Sequence, residues 1–286
     1  MHSQESQSGT HVLVTGAGGY IGRHVVTALL DQGARVTAVV RPSSRREVDA
    51  RAHLVEADVL DPALDLSSLA QEPPEAVVHL AWQDGFAHNA PSHMGMLSRH
   101  YALLRALSEW GATRIAVLGT MHEIGYWEGP ISAGTPAQPL SLYGIAKNAL
   151  RQAVFADPGI STVQWLRCYY IYGDDRNNRS IFTRLLEAVD RGEPALPFTT
   201  GRNLYDFIRV EELGRQIAAV VLRPGVEGIV ECCSGEPVSL AQKVEEFIAE
   251  NALPIRLEYG AFPDRPYDSP GVWGDATRIR EILATE

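Results

Sequence analysis

The stretch HVLVTGAGGYIG, residues 11–22, constrains this chain more than any other. A short apolar run is followed at once by Gly16, Gly19 and Gly22. That spacing suits a strand turning tightly into a helix. Gly16 allows the turn, Gly19 lets a diphosphate approach the backbone, and Gly22 lets helix and strand pack closely. The helix N-terminus then offers free N–H groups to the anion, with Tyr20 and Ile21 beside it. An ordinary glycine-rich turn would look similar. The position directly after an apolar N-terminal strand makes dinucleotide binding the expected role.

The rest of the chain continues the pattern. Residues 35–40, 75–81, 114–119 and 161–167 are short runs rich in Val, Ile or Leu, and each ends in turn or polar residues. Candidate helices lie between them at 20–32, 97–109 and 143–156. Such alternation predicts right-handed βαβ units and a Rossmann-type, doubly wound α/β fold with a parallel sheet covered on both faces. After about residue 170 prolines and glycines increase, as in RGEPALPFTTGRN. Helices at 181–190, 211–222 and 239–250 and a strand at 228–232 are still expected. The reading is a loose tail over 1–10, a dinucleotide-binding domain over 11–170, and a smaller, irregular, mainly substrate-binding region over 171–286, of which 205–233 returns to the first domain.

Composition excludes several function classes. A net charge of −10 argues against a nucleic-acid footprint. No apolar run is long enough to cross a bilayer, and the start, MHSQESQSGTH, lacks an apolar signal core. The three cysteines, Cys168, Cys232 and Cys233, form no CxxC, which points to a reducing compartment and a cytoplasmic location. His79, His88, His93 and His100 crowd one span, yet spread over a strand, a loop and a helix, so no metal is expected.

The second strand tells which dinucleotide to expect. NAD sites usually end it with an acid that binds the ribose 2′-OH. Here VTAVVRPSSRR has none, and Arg41 and Ser43 stand there instead. An arginine attracts a 2′-phosphate that a carboxylate would repel, so NADP(H) is preferred and NAD(H) is the alternative. Asp58, with Val59, could meet the adenine edge or simply make a turn. Leu80, Ala81 and Trp82 follow the fourth strand, at the end where open α/β sheets bind ligands.

Tyr143 and Lys147 lie four apart on one helix face. Lys147 is one of only two lysines among 25 basic residues. A phenol is a poor acid or base near neutrality, and an adjacent ammonium would favour its ionised form. A compact ammonium can also donate to ribose hydroxyls, which suits lysine better than arginine.

TGAGGYIG followed by YGIAK resembles the extended short-chain dehydrogenase/reductase family, in its nucleotide-sugar epimerase, dehydratase and reductase branch. VVHLAW (77–82), GTMHEIG (119–125), LRCYYIYGDD (166–175) and YDFIRVEEL (205–213) resemble further motifs of that family. The resemblance implies that Tyr143 is the acid/base, that Lys147 supports it and binds ribose, and that Thr120 holds the substrate oxygen. It also implies a homodimer packed through the helices at 97–109 and 143–156. Three departures stand out. Trp82 replaces an alanine. Tyr170 replaces an asparagine. Tyr205 replaces an arginine that contacts a diphosphate, for which Arg202, Arg209 or Arg265 could substitute. Dehydratase relatives carry Asp and Glu directly after the Thr, whereas Met121 and His122 stand here and Glu123 comes one position late. The expectation is a reductase acting on a nucleoside-diphosphate 4-keto-6-deoxyhexose, nearest to the dTDP-4-keto-6-deoxyglucose reductases. The alternatives are an epimerase with tightly bound NAD and a non-catalytic NADP(H)-binding regulator. Met121, His122, Asn178, Ser180, Arg202 and Arg265 are the expected sugar-nucleotide contacts, together with Trp82.

Overall fold

A computed structural model describes residues 9–42, 48–160, 162–174, 176, 178, 180–263 and 268–285. In chain order come β1 (His11–Thr15), α1 (Gly22–Asp31), β2 (Arg35–Val40), β3 (His53–Glu56), β4 (Ala76–His79), α2 (Ser92–Gly95), α3 (Leu97–Trp110), β5 (Arg114–Thr120), β6 (Gly129–Ile131) and α4 (Leu142–Ala156). There follow β7 (Thr162–Cys168), β8 (Tyr170–Tyr172), α5 (Ile181–Asp190), β9 (Ala195–Pro197), β10 (Leu204–Arg209), α6 (Val210–Leu222), β11 (Gly228–Cys232), β12 (Pro237–Ser239), α7 (Leu240–Glu250), β13 (Arg256–Glu258), β14 (Gly271–Gly274) and α8 (Thr277–Leu283).

The main sheet has the order β11-β7-β5-β4-β1-β2-β3, and every neighbouring pair is parallel. Its central strands β1, β2, β4 and β5 read as largely apolar runs because both faces are covered. Val12, Leu13 and Val14 are all fully buried but alternate between two cores. Val12 and Val14 meet α1 and α6 through Val25, Leu29, Leu213 and Ile217. Leu13 meets α3 and α4 through Leu103, Leu107 and Leu150 on the opposite face. This is the doubly wound arrangement expected from the sequence.

The C-terminal region is less irregular than its prolines and glycines suggest. Strands β12, β10, β14 and β6 form a second sheet, to which β8 is joined through β10. Strands β13 and β9 form a two-stranded ribbon. Phe182, Leu185, Phe198, Phe207, Val244 and Leu257 give this region its own core. Runs of three residues carry too little periodicity to be read as strands. The segment from residue 205 divides between the two regions. β10 stays in the second sheet, while β11 completes the main one.

Candidate active site

The carboxyl ends of β1, β4, β5 and β7 open onto a cavity of about 890 Å³, bounded opposite by Tyr170, Phe182 and Phe207. Gly16, with φ of +70°, makes the turn out of β1. A Cβ on Gly22 would come 2.2 Å from the Gly16 carbonyl oxygen, so α1 closes tightly on that turn. Over Gly19 a Cβ would meet only one atom, at 3.1 Å, which leaves the backbone there open to a ligand. No side chain caps α1 and no acid stands in its first turn. This cradle fits a dinucleotide diphosphate. The Tyr20 hydroxyl donates to the Gly173 carbonyl at 2.7 Å and ties the loop to the far wall.

At the end of β5, Thr120 is buried and begins a short 3₁₀ turn. Its Oγ1 accepts from His122 N at 3.3 Å, and its own N–H donates to Glu123 Oε1 at 2.7 Å. Glu123 also accepts from Trp165 Nε1 at 2.9 Å. Its carboxylate therefore turns into the core and away from the cavity, as its late position in the motif suggested.

Helix α4 brings Tyr143 and Lys147 to the same cavity. Its first turn is fully capped from outside. Ser141 Oγ accepts from Gly144 N at 3.2 Å, Asn89 Oδ1 from Leu142 N at 3.2 Å, and the His88 carbonyl from Tyr143 N at 2.8 Å. The Tyr143 ring stacks on His88 at 5.5 Å and 15°, with His122 and Trp82 edge-on, each at 6.1 Å. Lys147 Nζ donates to the Leu118 carbonyl at 2.7 Å and lies 3.7 Å from the centroid of the Trp82 ring.

The electrostatics differ from the simple pairing expected of these two groups. Burial pushes the Tyr143 phenol above its ordinary range, with Cys168 adding to the rise and a hydrogen bond with Thr120 opposing it. Burial pulls the Lys147 ammonium down to about 7, against Glu123 and Cys168. The direction is opposite to the lowering expected from the sequence, because burial disfavours the phenolate and the ammonium is directed at a carbonyl and an indole.

The sequence profile of the NAD dependent epimerase/dehydratase family matches residues 12–231. The chain belongs to this family. It is 44% identical over 268 residues to a dTDP-6-deoxy-L-talose 4-dehydrogenase (NAD(+)) of Aggregatibacter actinomycetemcomitans, covering 92% of this chain and 99% of that one. It is 28% identical to a UDP-glucose 4-epimerase of Azospirillum brasilense, covering 98% and 88%. Among solved structures, MoeE5 in complex with UDP-glucuronic acid and NAD matches with a TM-score of 0.77 at 27% identity, covering 96% and 92%. A UDP-glucose 4-epimerase matches with a TM-score of 0.83 at 19% identity, covering 97% and 92%, and so shares the fold.

In this epimerase/dehydratase-family chain, most residues singled out from the sequence meet at one place. Gly16, Gly19, Tyr20, Ile21, Gly22, Leu80, Trp82, Thr120, Met121, His122, Tyr143, Lys147, Tyr170, Asn178 and Ser180 all line the cavity. Several do not. Arg41 is exposed beyond the end of β2 and Arg202 is exposed before β10. Asp58 is exposed and accepts from Leu60 N at 3.0 Å, which makes it a turn residue. Val59 is buried in the core beneath α3, and Ala81 packs against that core. Arg209 lies over the Tyr172 ring at 5.5 Å, outside the cavity. Ser43 and Arg265 fall outside the described residues. Among the described residues no cluster of His, Cys, Asp and Glu could hold a metal. Sequence reasoning missed Asn89, Phe86 and Tyr126. It treated His88 only as one of several histidines. The loop after β4 meets α4 across more than fifty residues of chain, and no local pattern announces such a contact.

Proposed function

We propose that this chain interconverts a 4-keto and a 4-hydroxyl group on a nucleoside-diphosphate 6-deoxyhexose by hydride transfer with a nicotinamide dinucleotide. The observation that carries this reading is the convergence of Thr120, Tyr143 and Lys147 with the glycine cradle in one cavity. The 4-dehydrogenase with 44% identity supports the substrate class. A dehydrogenase and a ketoreductase are one equilibrium approached from opposite sides, so that relative's activity and the reduction expected from the sequence are the same chemistry. Its NAD(+) supports NAD(H) as the working cofactor. Arg41, exposed where an acid would otherwise stand, leaves NADP(H) admissible.

A bound nicotinamide supplies or accepts the hydride. Tyr143, kept protonated by burial, gives its proton to the carbonyl oxygen during reduction and takes it back during oxidation. Thr120 Oγ1 holds the same oxygen. Lys147 supplies positive charge beneath the phenol as it turns into phenolate. Met121 and His122 stand where a dehydratase would place two acids, and Glu123 is occupied in the core, so the site lacks the groups that eliminate water. Exposed Ile145 and Phe155 on α4 support a homodimer through that helix.

The test is direct. The purified protein is given 4-keto-6-deoxy sugars on dTDP or UDP with NADH or NADPH, and loss of reduced nicotinamide is followed. Stoichiometric oxidation, faster with NADH, is expected. Epimerised product without net redox change would favour the epimerase reading. Dinucleotide binding without turnover of any sugar would leave only a regulator.

A further inference from the structure

Trp82 stands just after β4, where it meets the Lys147 ammonium face-on at 3.7 Å. The indole is itself fixed from behind. Its Nε1 donates to His93 Nδ1 at 3.1 Å, and its other contacts include a stack on His100 at 4.3 Å and 13°. His100 Nδ1 meets His79 Nε2 at 2.9 Å, and His79 Nδ1 meets Thr15 Oγ1 at 2.8 Å. His93 Nε2 meets the Ala87 carbonyl oxygen at 3.0 Å. All three imidazoles are 1% exposed. A continuous packed series thus runs from β1 through β4 and α3 to the indole, and none of it depends on the lysine.

The groups facing Lys147 are few. Glu123, on the turn after β5, and Cys168, at the end of β7, both favour the ammonium but do not pair with it. The Glu123 carboxylate is occupied by Thr120 N, Trp165 Nε1 and Arg167. Tyr143 lies one turn earlier on α4. His79 on β4 and His100 on α3 are both kept neutral by burial and by the ammonium itself. Among the described residues no carboxylate forms an ion pair with Lys147. Its close partners are one carbonyl and one aromatic face.

We propose that Trp82 is a positioning residue whose π face holds the Lys147 ammonium charged and in place on the cavity floor. Tryptophan offers the strongest such face, and the attraction grows when water is excluded. The proposal explains why the position that is alanine in the family's usual motif carries a large aromatic here. It rests on the reading that Lys147 serves the reaction beside Tyr143. Without the face, burial would act on the ammonium unopposed at this side, and its titration midpoint would fall.

The lysine count makes the test clean. Lys147 and Lys243 are the only lysines, so lysine labelled with ¹³C at Cε gives two resolvable side-chain signals in the intact protein. Trp82 is replaced by mono-, di- and trifluorotryptophan, which keep the ring's shape and weaken its face stepwise. The Lys147 midpoint should fall with each step, by about one pH unit in total, while Lys243 stays put. Trp82→Leu should lower it at least as far. A Lys147 midpoint that ignores fluorination would overturn the proposal, even if the Trp82→Leu variant fails to fold. The measurement needs no turnover. Absence of any sugar reaction alongside a fluorine-dependent midpoint would therefore count against the proposed function and for the role of Trp82.

Discussion

At the scale of single residues, Tyr143 is the group on which the chemistry turns. Its phenol is shielded by His88 and Trp82 from the loop after β4 and by His122 from the turn after β5. Replacing it with phenylalanine keeps the ring stacked on His88 and removes only the oxygen. Tyr143→Phe should cut turnover by about 10² to 10⁴ while dinucleotide affinity stays nearly unchanged. Steady-state kinetics beside a binding titration would check both halves. The presence of Tyr143, Lys147 and Thr120 in one site was legible from motif and spacing. The upward displacement of the phenol was not, because it is set by water exclusion, and exclusion is a property of the assembled cavity rather than of any neighbouring residue. Glu123 lies between these cases. Its motif position showed that it would miss the cavity, but only the fold shows it capping Thr120 N and receiving the Trp165 indole.

At the scale of elements, the start of α4 decides where Tyr143 sits. Two of its first amides are satisfied by the loop after β4, through the Asn89 side chain and the His88 carbonyl. Losing a cap of this kind costs about 1 kcal/mol. Asn89→Ala should therefore speed exchange of the Leu142 amide by about fivefold, with little change in distant strands. Amide hydrogen exchange read by mass spectrometry or NMR would show it, and an unchanged rate would mean the loop is held elsewhere. The long apolar strands were readable because each is buried on both faces. The second sheet was not, because β6, β8 and β12 are three residues each. What anchors that sheet is Asp206, fully buried, which accepts from Ser234 N at 2.8 Å, Gly235 N at 2.9 Å and Gly274 N at 3.1 Å. Its neighbours in sequence give no hint of this, since all three donors arrive from other segments.

At the scale of the whole molecule, buried and half-buried imidazoles govern the response to acid. His79, His88, His100 and His122 are all held below the ordinary value of 6.5, with burial the first cause in each, His122 at about 4 and His100 at about 3. The unfolded chain takes up protons below 6.5 that the folded chain refuses, so their stabilisation is complete above that pH and is lost as pH falls through the folded values. Glu231 acts in the opposite sense. Burial raises its carboxyl from 4.5 to about 7, so its contribution improves on acidification across that window. Four imidazoles outweigh one carboxyl, and urea midpoints should decline from pH 7 to pH 5. Glu231→Gln removes the offset and should steepen the decline. A flat wild-type profile would contradict this account. The main sheet carries one more consequence, for biosynthesis. Among the described residues, β11 is the only strand that covers the outer edge of β7. A growing chain must then carry that edge, with its unpaired amides and carbonyls, uncovered from residue 168 until residue 228 has been made, and during that interval it is open to pairing with another nascent copy.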